Sequence, residues 1–272
     1  MTPTAFNETV QSTVNPLAET ATAQREPPTS HRALARLRFP RRRWLHVLLL
    51  PALLCAVLLL ASNAVLRLWA AALNSGMLAL GLNGVIVIEP LHWAAFKHGR
   101  LFTADVPGAA PSPEQLMVGV LVAVLQALAS VVIAPDRAPL RYLLRALVLC
   151  HAASLTFFGL LGGRLPYSLG DHVSAGMTVA WVFMLMVPWL HAGSFHVFGF
   201  GLARKLGLTL ITWLVLLLLV PLQYLFHVAV IQPYSLLQLP VLYLFGGLLL
   251  NVMVFISLYA WAMSWDTPED MR

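Results

Sequence analysis

Residues 141–163 (RYLLRALVLCHAASLTFFGLLGG) form an apolar run that is long enough to cross a lipid bilayer as a single helix. The hydrocarbon core is about 30 Å thick, and a helix crosses it in about 20 apolar residues. Arginines lie at the start of this run, glycines lie at its end, and His151 lies near its middle. An ionisable side chain at that depth is costly, so His151 is the first candidate for a functional residue.

Six runs of this kind predict an all-α membrane protein, a polytopic bundle of about six transmembrane helices. The composition agrees, since 59% of the residues are hydrophobic and only 10% are charged. The predicted parts are a disordered basic N-terminus (1–43), a first helix (44–64), an extracytoplasmic segment (65–113), a five-helix bundle (114–263) and a cytoplasmic tail (264–272). Within the bundle the predicted spans are 116–134, 141–163, 173–191, 206–230 and 236–263.

The basic residues predict the orientation of these spans. Seven of the 17 Lys and Arg residues lie between Arg25 and Arg43, directly before the first span. With six spans, the basic clusters at 137–145 and 204–205 lie on the same side of the membrane as this N-terminal cluster. Cytoplasmic connections of membrane proteins are enriched in Lys and Arg. The sequence therefore predicts a bacterial inner-membrane protein with both termini in the cytoplasm. The predicted partners are the lipid bilayer and other membrane proteins, not nucleic acid.

The segment 65–113 differs from the spans in pattern. Asn83-Gly84 is typical of a turn, and the β-branched run at 85–88 (VIVI) predicts a short strand. A Pro-rich linker follows at 107–113. The segment is therefore predicted to be a small α/β hairpin-like unit outside the membrane. Ser62-Asn63-Ala64, just before it, resembles a signal-peptidase site, but the preceding polar leader is too long, which predicts an uncleaved anchor.

Four polar residues are predicted to lie inside spans: Gln126, His151, Ser154 and Asn251. Adjacent antiparallel helices bring Gln126 and His151 to similar depth, and Ser154 shares a helix face with His151 because it lies three residues further on. One interpretation is hydrogen bonding between helices, which contributes about 0.6 kcal/mol per pair on average. The other is a path for protons or substrate.

A second set of candidates is predicted at the outer face. The candidate catalytic residues are His98, Arg164, Asp171 and His172. Asp171 beside His172, with an arginine nearby, suits an acid/base pair or an anion clamp. The alternative is that Asp171 caps the helix that starts there. Gln223 and His227 are four residues apart and therefore share a helix face. Because they lie near the outer end of the fifth span, they are predicted to face the same outer pocket as His172.

Cysteine and metal patterns are uninformative in this sequence. Cys55 and Cys150 both fall in predicted spans, where cysteine is usually a packing residue, and neither is predicted to be catalytic. The sequence has neither an HExxH pattern nor paired cysteines. No metal and no cofactor is therefore predicted.

One family resemblance concerns the arrangement of elements. An outer strand-like segment, followed by several spans with an arginine and a later histidine on the outer side, resembles bacterial exosortases, which are membrane cysteine transpeptidase-like enzymes. That family requires an outward-facing cysteine nucleophile at the start of a span. The second span here begins Pro113-Glu114-Gln115, and both cysteines lie at mid-membrane depth. Membership of the family is therefore not predicted.

These observations leave three function classes. The expected role is an accessory or scaffold component of an envelope-associated system for export or sorting of polysaccharide, lipid or protein. A membrane-embedded enzyme would instead use the His/Asp/Arg set of the outer face. A small transporter would use His151 and Gln126.

Overall fold

The computed structural model describes residues 41–88, 101–161, 167–198 and 202–264. The predictions for the N-terminal 40 residues, for His98 and Arg164, and for most of the C-terminal tail lie outside the described residues. The described chain contains eight α-helices and two strands: α1 Arg41–Leu60, α2 Ser62–Ala79, β1 Val85–Ile88, β2 Phe102–Asp105, α3 Pro113–Val132, α4 Ala138–Leu161, α5 Leu169–Phe198, α6 Leu202–Tyr234, α7 Leu239–Tyr243 and α8 Leu249–Met263.

The helices are of the length and composition that membrane proteins use. Five helical segments of the described chain are long and apolar enough to cross a membrane, and a sixth is obtained if α1 and α2 count as one bent span. These segments agree with the predicted bundle of membrane helices. The start of α3 is also as predicted, with Pro113 in its first turn. Ser112 and Gln115 form a reciprocal capping box there, which satisfies two backbone donors of that turn.

Helix α2 lies against α6 in the interior of the protein. The chain bends by 56° between α1 and α2. The Trp69 indole donates a hydrogen bond to the Leu217 carbonyl (3.0 Å), and Gly76 lies against Leu225. Because residue numbers on both helices rise together from one contact to the next, α2 and α6 run side by side in the same direction. Trp69 is fully buried in this contact.

Strands β1 and β2 form an antiparallel hairpin in which Val85 pairs with Asp105 and Ile88 pairs with Phe102. A two-stranded sheet leaves backbone groups unpaired along both of its outer edges, and such groups are costly away from water. On the β1 edge, the Asn74 side chain of α2 accepts a hydrogen bond from the Ile86 amide and donates one to the Ile86 carbonyl, both at 2.9 Å. This edge is therefore closed by a side chain.

The β2 edge is closed by hydroxyl groups of α5. The Ala104 amide donates to the Ser174 Oγ (3.0 Å), and the Leu101 amide donates to the Thr178 Oγ1 (3.2 Å). The strand therefore lies along the first turns of α5 and runs in the opposite direction. The two strands, held between α2 and α5 in this way, are termed the clamped hairpin below (residues 85–88 and 102–105).

The two strands within the predicted hairpin-like unit at 65–113 pack against the helices. The strand at 85–88 is confirmed, but Ile86 and Phe102 are buried, and the Phe102 ring stacks on that of Trp69 at 6.4 Å. The hairpin thus shares its core with α2 and α5. Local sequence pattern cannot reveal this arrangement, because the groups that close the β2 edge lie 70 and 77 residues further along the chain.

The predicted boundaries of the later spans were too narrow. Helix α5 begins at Leu169 and continues to Phe198, and α6 extends to Tyr234. The chain turns at Ser235, whose φ of 117° is unusual for a residue other than glycine. The Ser235 hydroxyl accepts a hydrogen bond from the Leu237 amide, which helps to hold this turn.

The last span is broken into pieces. A 3₁₀ turn at Leu236–Gln238 leads into the short α7, and a π-helical segment at Leu244–Leu248 separates α7 from α8. Gly247 lies within this segment with φ −95° and ψ −125°, outside the helical range. A kink of this kind interrupts the hydrogen-bond ladder of the helix.

Candidate functional site

Two buried histidines meet where α5 and α6 pack against each other. The Nε2 atom of His172 lies 2.9 Å from the Nδ1 atom of His227. Both side chains are inaccessible to solvent, with exposures of 1% and 0%. At this distance one imidazole N–H donates to the bare nitrogen of the other ring. The structure thus brings His227 to His172, as their predicted shared pocket requires.

Tyrosines surround this pair. Three phenol rings lie with their centres 5.9–6.4 Å from the His172 ring, those of Tyr167, Tyr224 and Tyr243. The five side chains are termed the imidazole–tyrosine cluster below. Aromatic rings at this separation attract one another and also favour a nearby positive charge. The cluster can therefore hold the two imidazoles in fixed orientations.

Two glycines make the room that the cluster needs. A Cβ atom at Gly176, one turn after His172 on α5, would overlap the Tyr224 hydroxyl. A Cβ atom at Gly246 would stand 2.6 Å from the His227 Nε2 atom. Any side chain at either position would push a cluster residue away. The close contact of α5, α6 and the broken last span thus depends on these glycines.

Asp171 has a capping role different from the predicted one. The helix cap is Ser168, whose hydroxyl accepts a hydrogen bond from the Asp171 amide (3.0 Å). In return, the Asp171 carboxylate accepts from the Ser168 amide (3.1 Å) and hydroxyl (2.8 Å). This is the reciprocal capping-box pattern. The neighbour of the His172 ring is His227, and a role of Asp171 as acid/base partner remains a prediction.

His151 occupies a separate site between α3, α4 and the turn before α7. Its Nδ1 atom lies 2.9 Å from the Gln126 Oε1 and its Nε2 atom lies 3.3 Å from the Gln238 Oε1. A neutral ring donates through only one nitrogen, so one of the two carboxamides must present its NH₂ group instead. One turn further along α4, the Ser154 hydroxyl donates to the Leu237 carbonyl (2.9 Å). The arrangement ties the last span to the α3–α4 pair.

The contact with Gln238 was not predicted. Gln238 is 87 residues from His151 and lies in a short 3₁₀ turn, for which the sequence carries no periodic signal. The fourth intramembrane candidate, Asn251, lies apart on α8. It is 1% exposed, and its Oδ1 atom has no hydrogen-bond partner among the described residues.

A fourth buried histidine, His191, lies towards the other end of the α5–α6 interface. The Thr209 hydroxyl donates to the Lys205 carbonyl, so the His191 Nδ1–H donates to the Thr209 oxygen (3.0 Å). Between this contact and His227, the interface is filled by buried apolar side chains such as Met184, Leu216 and Val220. The described residues of this interface therefore do not form a continuous polar route from one end to the other.

An apolar cavity of about 190 Å³ lies between Ser154 of the His151 site and Tyr167 of the cluster. It lies between α4 and the start of the broken span, and its walls include Ser154, Phe158, Tyr167, Leu236 and Pro240. The Ser154 hydroxyl at its edge already donates to a backbone carbonyl, so the cavity offers few free polar groups. Such a lining suits hydrocarbon better than a polar ligand.

The described residues contain no group of three or more His, Cys, Asp or Glu side chains that could hold a metal ion. Cys55 and Cys150 are free and partly buried, and the Cys55 thiol donates to the Leu185 carbonyl (3.2 Å). No protein-family model, curated protein or solved structure matches the chain.

Proposed function

We propose that this chain is an accessory or scaffold component of an envelope-associated system for polysaccharide, lipid or protein export or sorting in bacteria. In this proposal it crosses the inner membrane six times, with α1 and α2 as one bent span and both termini in the cytoplasm. The arginine clusters support this orientation, and the apolar helices support the membrane location.

The clamped hairpin is the observation that carries the proposal. Both of its outer edges are closed by side chains of α2 and α5, through hydrogen bonds to Ile86, Leu101 and Ala104, on either side of the connection between Ile88 and Leu101. The twelve residues between them (EPLHWAAFKHGR) carry charged, imidazole and aromatic side chains. These side chains supply the chemistry that we propose binds another membrane protein.

Photo-crosslinking in cells tests this proposal. A photoreactive amino acid placed at position 97 should form a stoichiometric adduct with a protein partner. The double variant Ser174→Ala/Thr178→Val should lose most of this adduct at an unchanged protein level, because the Ala104 and Leu101 amides lose their acceptors. The matched control is Thr156→Val, whose hydroxyl is exposed and only donates within its own helix. An adduct that survives the double variant, or no protein adduct at all, would argue against the scaffold.

The imidazole–tyrosine cluster favours a second candidate, a membrane-embedded enzyme. Two imidazoles that share a hydrogen bond are suited to proton transfer. In that case the protein purified in mild detergent should carry a bound lipid or lipid-linked sugar. Single substitutions of His172 should then abolish activity without changing the amount of protein.

A further inference from the structure

Five polar atoms near the broken span are buried without a hydrogen-bond partner among the described residues. Two are ring nitrogens, Nδ1 of His172 and Nε2 of His227, and the others are both amide atoms of Gln223 and the Oδ1 of Asn251. All four side chains are at least 95% buried. An unsatisfied buried polar group costs about 1–3 kcal/mol, and buried polar groups in native proteins usually find a protein or water partner. Several such groups in one region therefore indicate a missing ligand.

The unsatisfied groups of α6 face the broken span together. Gln223 and His227 lie four residues apart on α6 and so share one face of that helix. The Nε2 atom of His227 lies close enough to the Gly246 backbone to interact with it electrostatically, but it makes no hydrogen bond of good geometry there. The adjacent Gly247 departs from helical geometry, which leaves backbone groups of the last span without their usual helical partners.

Asn251 lies at the same level as Gln223. The last span runs antiparallel to α6, because Gly246 contacts His227 whereas Phe255 stacks on His191, which is bonded to Thr209. Asn251 lies between these two contacts on the last span, as Gln223 does on α6. Both amide side chains therefore lie in the same stretch of the interface between α6 and α8.

We propose that Gln223, His227, Asn251 and the break at Gly246-Gly247 enclose a site for ordered water molecules, which extend the His172–His227 pair into a chain that carries an exchangeable proton. The described groups at this site are neutral, so an ion there would lack a counter-charge, which is costly in a membrane. Water both donates and accepts, as an amide and an imidazole require, and it fits where side chains are fully buried.

The proton transfer is balanced without any other reactant. A proton arriving at the His172 Nδ1 releases the proton on Nε2 to the His227 Nδ1, and His227 then releases its Nε2 proton to the water beside Gln223. Both rings end neutral in the opposite tautomer. The titratable groups that face His172 are the His227 imidazole and the phenols of Tyr167, Tyr224 and Tyr243. The carboxylate of Asp171, next to His172 in sequence, is bonded to Ser168.

Solid-state NMR of the full chain in lipid bilayers, with ¹⁵N-labelled histidine, tests this inference. Polarisation transferred from water should reach the ring nitrogens of His172 and His227, which His172→Gln and His227→Gln assign. Gln223→Leu should abolish this transfer to His227, because an apolar side chain removes the partner of the water. Gln126→Leu, which removes the partner of a different buried histidine, should leave it unchanged.

Two results would overturn the inference. One is the absence of water transfer to either ring in the unaltered protein. The other is water transfer to His227 that persists in Gln223→Leu. If Gln223→Leu does not fold, Gln223→Met takes its place in this comparison. Neither readout depends on a protein partner, so this inference can fail while the scaffold proposal stands.

Discussion

The carboxamide of Asn74 pairs with both backbone groups of Ile86, accepting from its amide and donating to its carbonyl at 2.9 Å each. An amide side chain reproduces the hydrogen bonds of a neighbouring strand in this way. The clamped hairpin therefore has the equivalent of a third strand on its β1 edge, although that side of the hairpin faces a helix.

Asn74→Ala should destabilise the protein by about 1–3 kcal/mol, because it leaves both groups of Ile86 unpaired at a half-buried edge. The measurement is the melting temperature in detergent, with protease cleavage of the hairpin region as a local readout. Asn63→Ala, at an exposed position on the same helix, is the control and should change little. Equal melting temperatures for the two variants would show that the pairing contributes nothing.

Gly176→Ala should destabilise the imidazole–tyrosine cluster, because the added Cβ would overlap the Tyr224 hydroxyl. Overpacking of this kind typically costs about 1–3 kcal/mol. Gly193→Ala on the same helix has open space around it and should be neutral or slightly stabilising, since alanine favours helix. Thermal unfolding and the NMR signals of His172 report the two effects. A Gly176→Ala protein with the stability of the Gly193→Ala protein would contradict the packing described here.

Substitutions of His151 separate a structural role from a functional one. His151→Gln and His151→Asn should largely retain stability, because a carboxamide can donate to one glutamine and accept from the other. His151→Leu should cost only about 1 kcal/mol, since the membrane-unfolded chain also finds partners. Complementation of a deletion strain, measured beside the melting temperature, distinguishes the roles. Loss of complementation with unchanged melting temperature in all three variants would assign His151 to a proton or substrate path.

The proposed orientation predicts opposite labelling of two introduced cysteines. Lys97→Cys should react with a membrane-impermeant thiol reagent in intact cells, whereas Arg137→Cys should react only after the membrane is opened. Arg137 is exposed at the turn between α3 and α4, so accessibility within the protein does not limit its reaction. Labelling of Arg137→Cys but not Lys97→Cys in intact cells would reverse the orientation.

Features with a local signal were predictable from the sequence. The apolar runs revealed the membrane helices, the β-branched run at 85–88 revealed a strand, and the position of His227 near the end of its span predicted that it would lie near His172. In each case the signal lies in neighbouring residues, either as the repeat of apolar positions along a helix or strand or as the burial of an apolar face. Only the exact ends of the helices were misjudged there.

Features that depend on distant partners could not be predicted. Asn74 interrupts an apolar stretch, and nothing nearby shows that its partner is a strand edge. The last span has a continuous apolar sequence, yet it is broken at Gly246-Gly247, where the His227 ring lies close to the glycine backbone. In the sequence alone, a glycine at position 246 is compatible with an unbroken helix. Only the packing of the last span against α6 shows that a residue larger than Gly246 would not fit beside His227.

The clamp on the β2 edge has a consequence for how the chain is made. The amides of Leu101 and Ala104 leave the ribosome 77 and 70 residues before the hydroxyl groups that accept their hydrogen bonds. Until α5 has been synthesised and inserted, these amides can be satisfied only by water or by another protein. The hairpin must therefore dock after the helices that enclose it, so biogenesis of this protein does not follow the order of its sequence.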